Sequence, residues 1–136
     1  MKNFILGCFL FCLASQAIAE IAVITNVQNN QVPLTRLQVQ DIFMGRMRAF
    51  PNGQFATTYD QTTLRDDFYQ QLTQRPIAQI NAYWARLMFS GQTSPPIKLT
   101  DDQSVIKAIQ ENIGAIGYIN KKNASHQAIR ILFILK

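Results

Sequence analysis

Cysteine is scarce in this chain of 136 residues: Cys8 and Cys12 are the only two, and both lie close to the beginning of the sequence. We expect both to be removed with a signal segment, so that the remaining chain has no cysteine at all. Such a chain has no disulfide bridge, no thiolate nucleophile and no cysteine-ligated metal site. Its stability must come from a packed apolar core, which a single domain of this length can supply.

The first nineteen residues have the pattern of a cleaved secretory signal. Lys2 supplies a positive charge, Phe4 to Leu13 is an uncharged apolar run, and Ala17-Ile18-Ala19 offers a cleavage site of the small-x-small kind. The apolar run is too short to span a bilayer comfortably. We therefore expect residues 1–19 to be cleaved, leaving one periplasmic domain over residues 20–136 with no integral membrane segment.

Groups suited to catalysis are also few. The single histidine, His126, lies in a polar turn and is expected at the surface, and a metal site would need further ligands. The tandem acids Asp66-Asp67 and Asp101-Asp102 lie near helix starts, where negative charge complements the helix dipole. The chain has no nucleophile elbow, phosphate loop or dinucleotide fingerprint. The sequence therefore predicts no enzyme, no metal and no cofactor.

The charge of the chain is mildly positive, with 13 lysines and arginines against 8 acids and a formal net charge of +5. Apart from Lys2, the basic residues are scattered between Arg36 and Lys136 and form no run with interleaved aromatic residues. This pattern gives no support to nucleic-acid binding. A mild positive charge is compatible with a small anionic ligand.

Apolar periodicity predicts strands alternating with helices. Strands are expected at residues 21–24, 55–59, 115–119 and 129–135. Helices are expected at about 36–44, from a cap at Thr62 or Thr63 to the break at Arg75-Pro76, and at 77–90 and about 102–112. This alternation is typical of an α/β domain whose sheet is covered on both faces.

Two predicted helices carry clear apolar faces. In the helix over residues 77–90, the residues expected in the core are Ile77, Ile80, Trp84, Leu87 and Met88. In the helix over about 102–112 they are Val105, Ile106, Ile109 and Ile113.

Two short motifs point to a family. Ile42-Phe43-Met44-Gly45-Arg46 ends a predicted helix and leads into the turn Phe50-Pro51-Asn52-Gly53, and Gly114-Ala115-Ile116-Gly117-Tyr118 enters a predicted strand. In this order they resemble segments of the phosphate-binding receptors of ABC transporters, in the periplasmic solute-receptor superfamily. The resemblance extends over about residues 21–131. It implies a single lobe of the periplasmic-binding-protein type, with a central mixed sheet flanked by helices.

The segment Asp60-Gln61-Thr62-Thr63-Leu64-Arg65 is the best candidate for a binding site. It places two hydroxyls and free backbone N–H groups at a helix N-terminus, with an arginine one turn in. Orphan N–H groups and the helix dipole make such a terminus suitable for an anion. The same pattern is explained if Thr62 or Thr63 merely caps the helix and Arg65 pairs with an acid such as Asp60.

The resemblance implies a role for this segment. In the receptors, a Ser-Gly-Thr run preceded by an arginine holds the oxyanion, and the matching place here is Thr62-Thr63-Leu64. The glycine and the preceding arginine have no counterpart. The expected ligand is a phosphate-like oxyanion held by Thr62, Thr63 and Arg65. Thr25 and Asn26, at the end of the first strand, are lesser candidates for ligand binding and are expected beside the site, because open α/β sheets bind ligands off their strand ends.

A single lobe leaves one side of an anion in water, so a second lobe, a protein partner or a permease is expected to complete the site. An alternative function remains open from the sequence. The domain is then a non-transport adaptor or sensor module in the periplasm, which holds a protein partner through the degenerate cleft or through a surface formed by Tyr83 and Phe89.

Overall fold

The computed structural model describes residues 20–136, and the predicted signal segment lies outside that range. Within the described part, the strands are β1 (Ile21–Asn26), β2 (Thr57–Gln61), β3 (Ile97–Leu99), β4 (Ala115–Asn120) and β5 (Ile129–Leu135). The α-helices are α1 (Arg36–Phe43), α2 (Arg65–Thr73), α3 (Ile77–Ser90) and α4 (Asp102–Glu111). A short 3₁₀ helix, Lys121–Asn123, follows β4.

The strands form one mixed sheet in the order β3-β2-β4-β1-β5. β2 runs parallel to both β3 and β4, whereas β1 runs antiparallel to β4 and β5. The predicted α/β class and the mixed sheet flanked by helices are confirmed. Strand β3 was not predicted, because its three residues are too few to show a period and its conformation depends on pairing with β2, where Ile97 lies opposite Tyr59.

Helices cover both faces of the sheet. α1, α2 and α3 pack on one face, where Ile21 and Val23 of β1 point, and α4 packs on the other, where Ala22 and Ile24 point. Because β1 is buried on both faces, its sequence is a continuous apolar run rather than an alternation. The first face has an aromatic centre, in which the rings of Phe68 and Tyr118 stack with centroids 3.7 Å apart.

The ends of α1 follow the local sequence signals. Thr35 accepts a hydrogen bond from the Gln38 backbone N–H while the Gln38 side chain accepts one from the Thr35 N–H, which is a capping box. After the helix, Gly45 adopts a left-handed conformation with φ of 73°. A Cβ at Gly45 would lie 2.9 Å from Cη2 of Trp84, so the position favours glycine both for its backbone and for its small size.

Two residues expected in the core are exposed. Met88 of α3 is 58% exposed and Ile113 is 44% exposed. Ile80 and Trp84 of α3 are almost completely buried, but no element of the described residues 20–136 covers Met88, one turn further on. Ile113 follows the end of α4 and no longer lies on the helical face that the periodicity assumed.

Candidate functional site

The candidate site lies where β2 ends and α2 begins. The side-chain oxygen Oε1 of buried Gln61 accepts hydrogen bonds from the backbone N–H of Thr63 (2.6 Å), the backbone N–H of Leu64 (3.1 Å) and the Thr63 hydroxyl (2.5 Å). Three donors therefore converge on one oxygen atom at the start of the helix. The prediction that Thr62 or Thr63 caps α2 is wrong, because the Thr63 hydroxyl donates to Gln61 and the N-cap residue Leu64 makes no side-chain capping bond.

The other end of the Gln61 amide is held by a buried carboxylate. Its Nε2 donates to Oδ1 of Asp102 at 3.0 Å, and Oδ2 of Asp102 accepts from the side chains of Asn120 (3.0 Å) and Asn123 (2.8 Å). Burial by itself raises the pKa of Asp102, but these donors and the Asn120 backbone N–H outweigh it and lower the pKa. Asp102 is therefore ionised at neutral pH and fixes the orientation of Gln61.

Thr62 stands at the exposed side of the same turn. Its backbone N–H donates to the Leu99 carbonyl at 2.9 Å, which ties the turn to the end of β3. Its hydroxyl makes only a long bond of 3.4 Å to the Thr100 carbonyl. The Thr62 hydroxyl is thus accessible from solvent and weakly engaged.

Arg65 points toward Asp60 and away from the Gln61 oxygen. Its Nε donates to Oδ2 of Asp60 at 3.2 Å and its Nη1 donates to the side-chain oxygen of Asn81 at 2.8 Å. The other oxygen of Asp60 accepts from the hydroxyls of Tyr69 (2.8 Å) and Tyr118 (3.0 Å). The pairing of Arg65 with Asp60, one of the two interpretations left open by the sequence, is therefore present.

Burial dominates the acid–base behaviour of this cluster. It raises the pKa of Asp60, and the hydroxyl and guanidinium donors offset it only in part. Burial together with the neighbouring Asp60 carboxylate also raises the pKa of Tyr69 and of Tyr118, which keeps both phenols protonated as donors. The cluster joins the end of β2 to α2 and β4.

The structure does not bring Thr25 and Asn26 to this site. Thr25 pairs with Ile116 of β4, and so does Thr58 near the beginning of β2. Since β1 runs antiparallel to β4 and β2 runs parallel to it, the end of β1 lies at the opposite edge of the sheet from Gln61. There the Thr25 hydroxyl donates to the Ala115 carbonyl at 2.7 Å and Asn26 donates to carbonyls of α4. The predicted location of these two residues beside the site is wrong.

Charged side chains of both signs lie at the same edge of the sheet as the site. Lys121 and Lys122 follow β4 at the same edge of the sheet and line a cavity of ≈ 420 Å³, where Lys121 pairs with Glu20 at 2.7 Å. Asp66 and Asp67 occupy the first turn of α2 and are exposed. The lysines favour an anion at this edge, and the two acids oppose it.

The structure also shows whether the other residues considered in the sequence analysis are buried or exposed. His126 is exposed, and its Nδ1 accepts from the Ala128 N–H at 3.1 Å. Trp84 is buried as predicted. The Tyr83 hydroxyl donates to the Met44 carbonyl at 2.7 Å and the residue is half-buried, so Phe89, 96% exposed, does not share a fully exposed patch with it. No group of three potential metal ligands occurs between residues 20 and 136.

Two polar residues central to the site, Gln61 and Asp102, were not predicted to act together. In the sequence Gln61 is a polar residue at a strand end and Asp102 a helix-start acid, and the two are 41 positions apart. No local pattern shows their contact. It arises from the parallel pairing of β2 with β3, in which Gln61 lies opposite Leu99 and the end of β2 is therefore beside the beginning of α4.

Comparison with known proteins relates the fold to solute receptors. No protein-family model and no curated protein matches the sequence. Among solved structures, an ABC-type phosphate transport receptor from Vibrio cholerae superposes with a TM-score of 0.63 at 14% sequence identity, covering 84% of this chain and 46% of the receptor. A protein from Clostridium perfringens, assigned as the substrate-binding protein of a phosphate ABC transporter and solved with bound phosphate, gives 0.59 at 19% identity, with coverages of 87% and 56%.

A third solved structure, from Planctomyces limnophilus and assigned as a phosphate-binding protein, gives a TM-score of 0.57 at 13% identity, covering 85% of this chain and 42% of that one. This chain therefore has the fold found in part of these proteins, and it spans about half their length. No helix within residues 20–136 is long and apolar enough to cross a membrane.

Proposed function

We propose that this chain is a non-catalytic domain that binds a phosphate-like oxyanion at the N-terminus of α2. The observation that carries the proposal is the convergence of three donors, two from Thr63 and one from Leu64, on a single oxygen atom at 2.5–3.1 Å. In this structure the oxygen belongs to Gln61. An oxygen of a bound anion would take its place.

An anion has an electrostatic advantage over the amide oxygen of Gln61. Hydrogen bonds to an ionised acceptor are roughly twice as strong as those to a neutral one, and the dipole of α2 favours negative charge at its N-terminus. Thr62 supplies a further hydroxyl with only a long bond to release. Arg65 supplies positive charge one turn away, although its guanidinium also forms an ion pair with Asp60.

The site proposed here is one half of an enclosed binding site. The Thr62–Thr63 turn is exposed, and the chain spans about half the length of the receptors that share its fold. We propose that a second lobe, a protein partner or a permease covers the anion. We also propose export to the periplasm through cleavage after Ala19, and a role linked to phosphate uptake.

The test is isothermal titration of the purified chain with inorganic phosphate at low salt and neutral pH. We expect saturable binding that Thr63→Val weakens by about tenfold to about a hundredfold, because one hydrogen bond to a charged group contributes about 1.5–3 kcal/mol. Thr73→Val is the matched control, since its hydroxyl binds the Tyr69 carbonyl at the other end of the same helix. The proposal fails if no saturable binding occurs up to about 10 mM phosphate, which corresponds to less than about 3 kcal/mol.

A second candidate function is a periplasmic adaptor or sensor module that binds a protein partner. The exposure of Phe89 (96%) and of neighbouring Met88 (58%) favours it, because large apolar side chains side by side at a surface are typical of interaction sites. Sedimentation of the chain at increasing concentration tests whether that partner is a second copy. Self-association that Phe89→Ser abolishes, together with no response to phosphate, would favour this function over anion binding.

A further inference from the structure

We propose that a separate cavity, at the opposite end of β2 from Gln61, binds a small aromatic carboxylate. The cavity has a volume of ≈ 360 Å³ and lies between the segment after α1, the beginning of β2 and the segment after α3. This volume is at the lower end of the range of about 300–1,000 Å³ that is typical of small-molecule pockets. This inference does not depend on the proposed oxyanion site.

The apolar part of the cavity is aromatic. Trp84 forms part of its wall, and its ring packs so closely against Gly45 that a Cβ there would lie 2.9 Å from Cη2. Phe55 (63% exposed) and Ile97 (50% exposed) also line it. An apolar group that entered the cavity would remove Phe55 and Ile97 from water, which is favourable in proportion to the area covered.

The polar part of the cavity has donors without internal partners. Arg48 lines it and forms no ion pair within the described residues, unlike neighbouring Arg46, which pairs with Asp41 at 2.8 Å. Nη2 of Arg48 donates to the Gln92 carbonyl at 2.6 Å, which fixes the guanidinium beside the cavity and leaves its other N–H groups available.

Two hydroxyls complete the donor set. Thr58 and Thr93 line the cavity, and neither hydroxyl forms a hydrogen bond to another group within residues 20–136. A few convergent polar groups beside aromatic walls are the usual composition of a small-molecule site.

The chemistry of the ligand follows from this lining. A guanidinium with free N–H groups can bind a carboxylate through two parallel hydrogen bonds. Trp84 and Phe55 favour an aromatic body, because ring pairs gain more than their buried area alone provides. Inorganic phosphate lacks such a body and leaves the aromatic wall unfilled. The cavity therefore fits a carboxylate carried on one small ring.

The experiment uses Trp84 as its own reporter, since it is the only tryptophan of the chain. The full chain is titrated with 3-phenylpropionate while tryptophan fluorescence is recorded, and the titration is repeated with the neutral analogue 3-phenylpropanol. We expect a saturable change with the acid and at least about tenfold weaker binding of the alcohol. Addition of 10 mM phosphate should leave the titration unchanged, which separates this cavity from the oxyanion site.

Arg48→Gln should weaken binding of the acid about tenfold or more, whereas Arg46→Gln is the matched control and should not change it. The inference is overturned if the acid gives no saturable change up to 10 mM, if the alcohol binds equally well, or if both substitutions act equally. Because the comparison of acid with alcohol uses the unchanged chain, it stands even if the Arg48 variant folds poorly.

Discussion

The side-chain amide of Gln61 donates to the carboxylate of Asp102 at 3.0 Å and so turns its own oxygen toward the first N–H groups of α2. Asp102 is at the start of α4, so one carboxylate links the N-terminal ends of two helices to the edge of the sheet. The α4 terminus is capped by a charged side chain, that of Asp101. The α2 terminus is held by the neutral oxygen of Gln61, so no carboxylate contacts the Thr63 and Leu64 donors directly, although Asp66 and Asp67 lie in the same first turn.

Replacement of Asp102 should strongly destabilise the fold. Asp102→Ala leaves the buried side-chain amide of Gln61 and the donors of Asn120 and Asn123 without their acceptor. Each unsatisfied buried donor lowers the free energy of unfolding by up to about 1–3 kcal/mol. We therefore expect Asp102→Ala to lower it by about 3 kcal/mol in total. Asp101→Ala is the control and should lose only about 1 kcal/mol, as for an ordinary N-cap. Urea unfolding measures both, and equal losses would contradict the role given to Asp102.

The two buried acids should act in opposite directions on the pH dependence of stability. The pKa of Asp102 is lowered on folding, so its contribution is present above its unfolded pKa and lost as the pH falls. The pKa of Asp60 is raised, so its contribution is present below its unfolded pKa and lost as the pH rises through the folded value. Asp60 therefore partly offsets the acid sensitivity of the fold.

Asp60→Asn removes that offset. Just above pH 3.8, the ordinary pKa of an aspartate, the free energy of unfolding of the variant should fall more steeply with acidification than that of the unchanged chain. Urea unfolding at several pH values gives the slopes, and comparing slopes avoids the separate effect of losing the ion pair with Arg65. Identical slopes would show that the pKa of Asp60 is not raised by folding.

Two glycines distinguish backbone strain from crowding. Gly45 and Gly91 both have positive φ, 73° and 68°, but only Gly45 has a neighbour, Trp84, where a Cβ would stand. Gly91→Ala should reduce the free energy of unfolding by about 1 kcal/mol through its backbone alone. Gly45→Ala should lose about 1–3 kcal/mol more because it overpacks the core. Thermal or urea unfolding of the pair measures the difference, and equal losses would mean that Trp84 moves aside freely.

Local signals explain which parts of the fold were predictable. The continuous apolar run of β1 and the capping box at Thr35 are each contained in a few consecutive residues, and both elements were predicted nearly to their observed ends. Strand β3 depends on pairing with β2, and Gln61 meets Asp102 only after the sheet has formed. The sequence pattern predicted that a helix begins shortly after β2. It did not show that the Gln61 side chain accepts hydrogen bonds from the first N–H groups of α2, because Asp102 orients that side chain only in the folded protein.

The Gln61 side-chain oxygen occupies the donors at the start of α2, and this leads to a prediction that depends on the proposed function. A bound oxyanion must displace the Gln61 oxygen and break its hydrogen bonds to Thr63 and Leu64. Gln61→Ala vacates these donors, so phosphate should bind the variant several-fold more tightly than the unchanged chain, although its stability without phosphate should fall by about 1–3 kcal/mol.

Gln61→Glu should have the opposite effect on binding. It keeps a carboxyl oxygen at the same donors and sets its other oxygen against Asp102, and ionisation of this acid pair adds negative charge that repels phosphate. Isothermal titration of both variants beside the unchanged chain gives the order of affinities, expected to be alanine, then glutamine, then glutamate. If all three bound phosphate equally, the anion would lie elsewhere on the molecule. If the alanine variant bound less tightly than the unchanged chain, Gln61 would be a ligand-positioning residue, and displacement of its oxygen would not accompany binding.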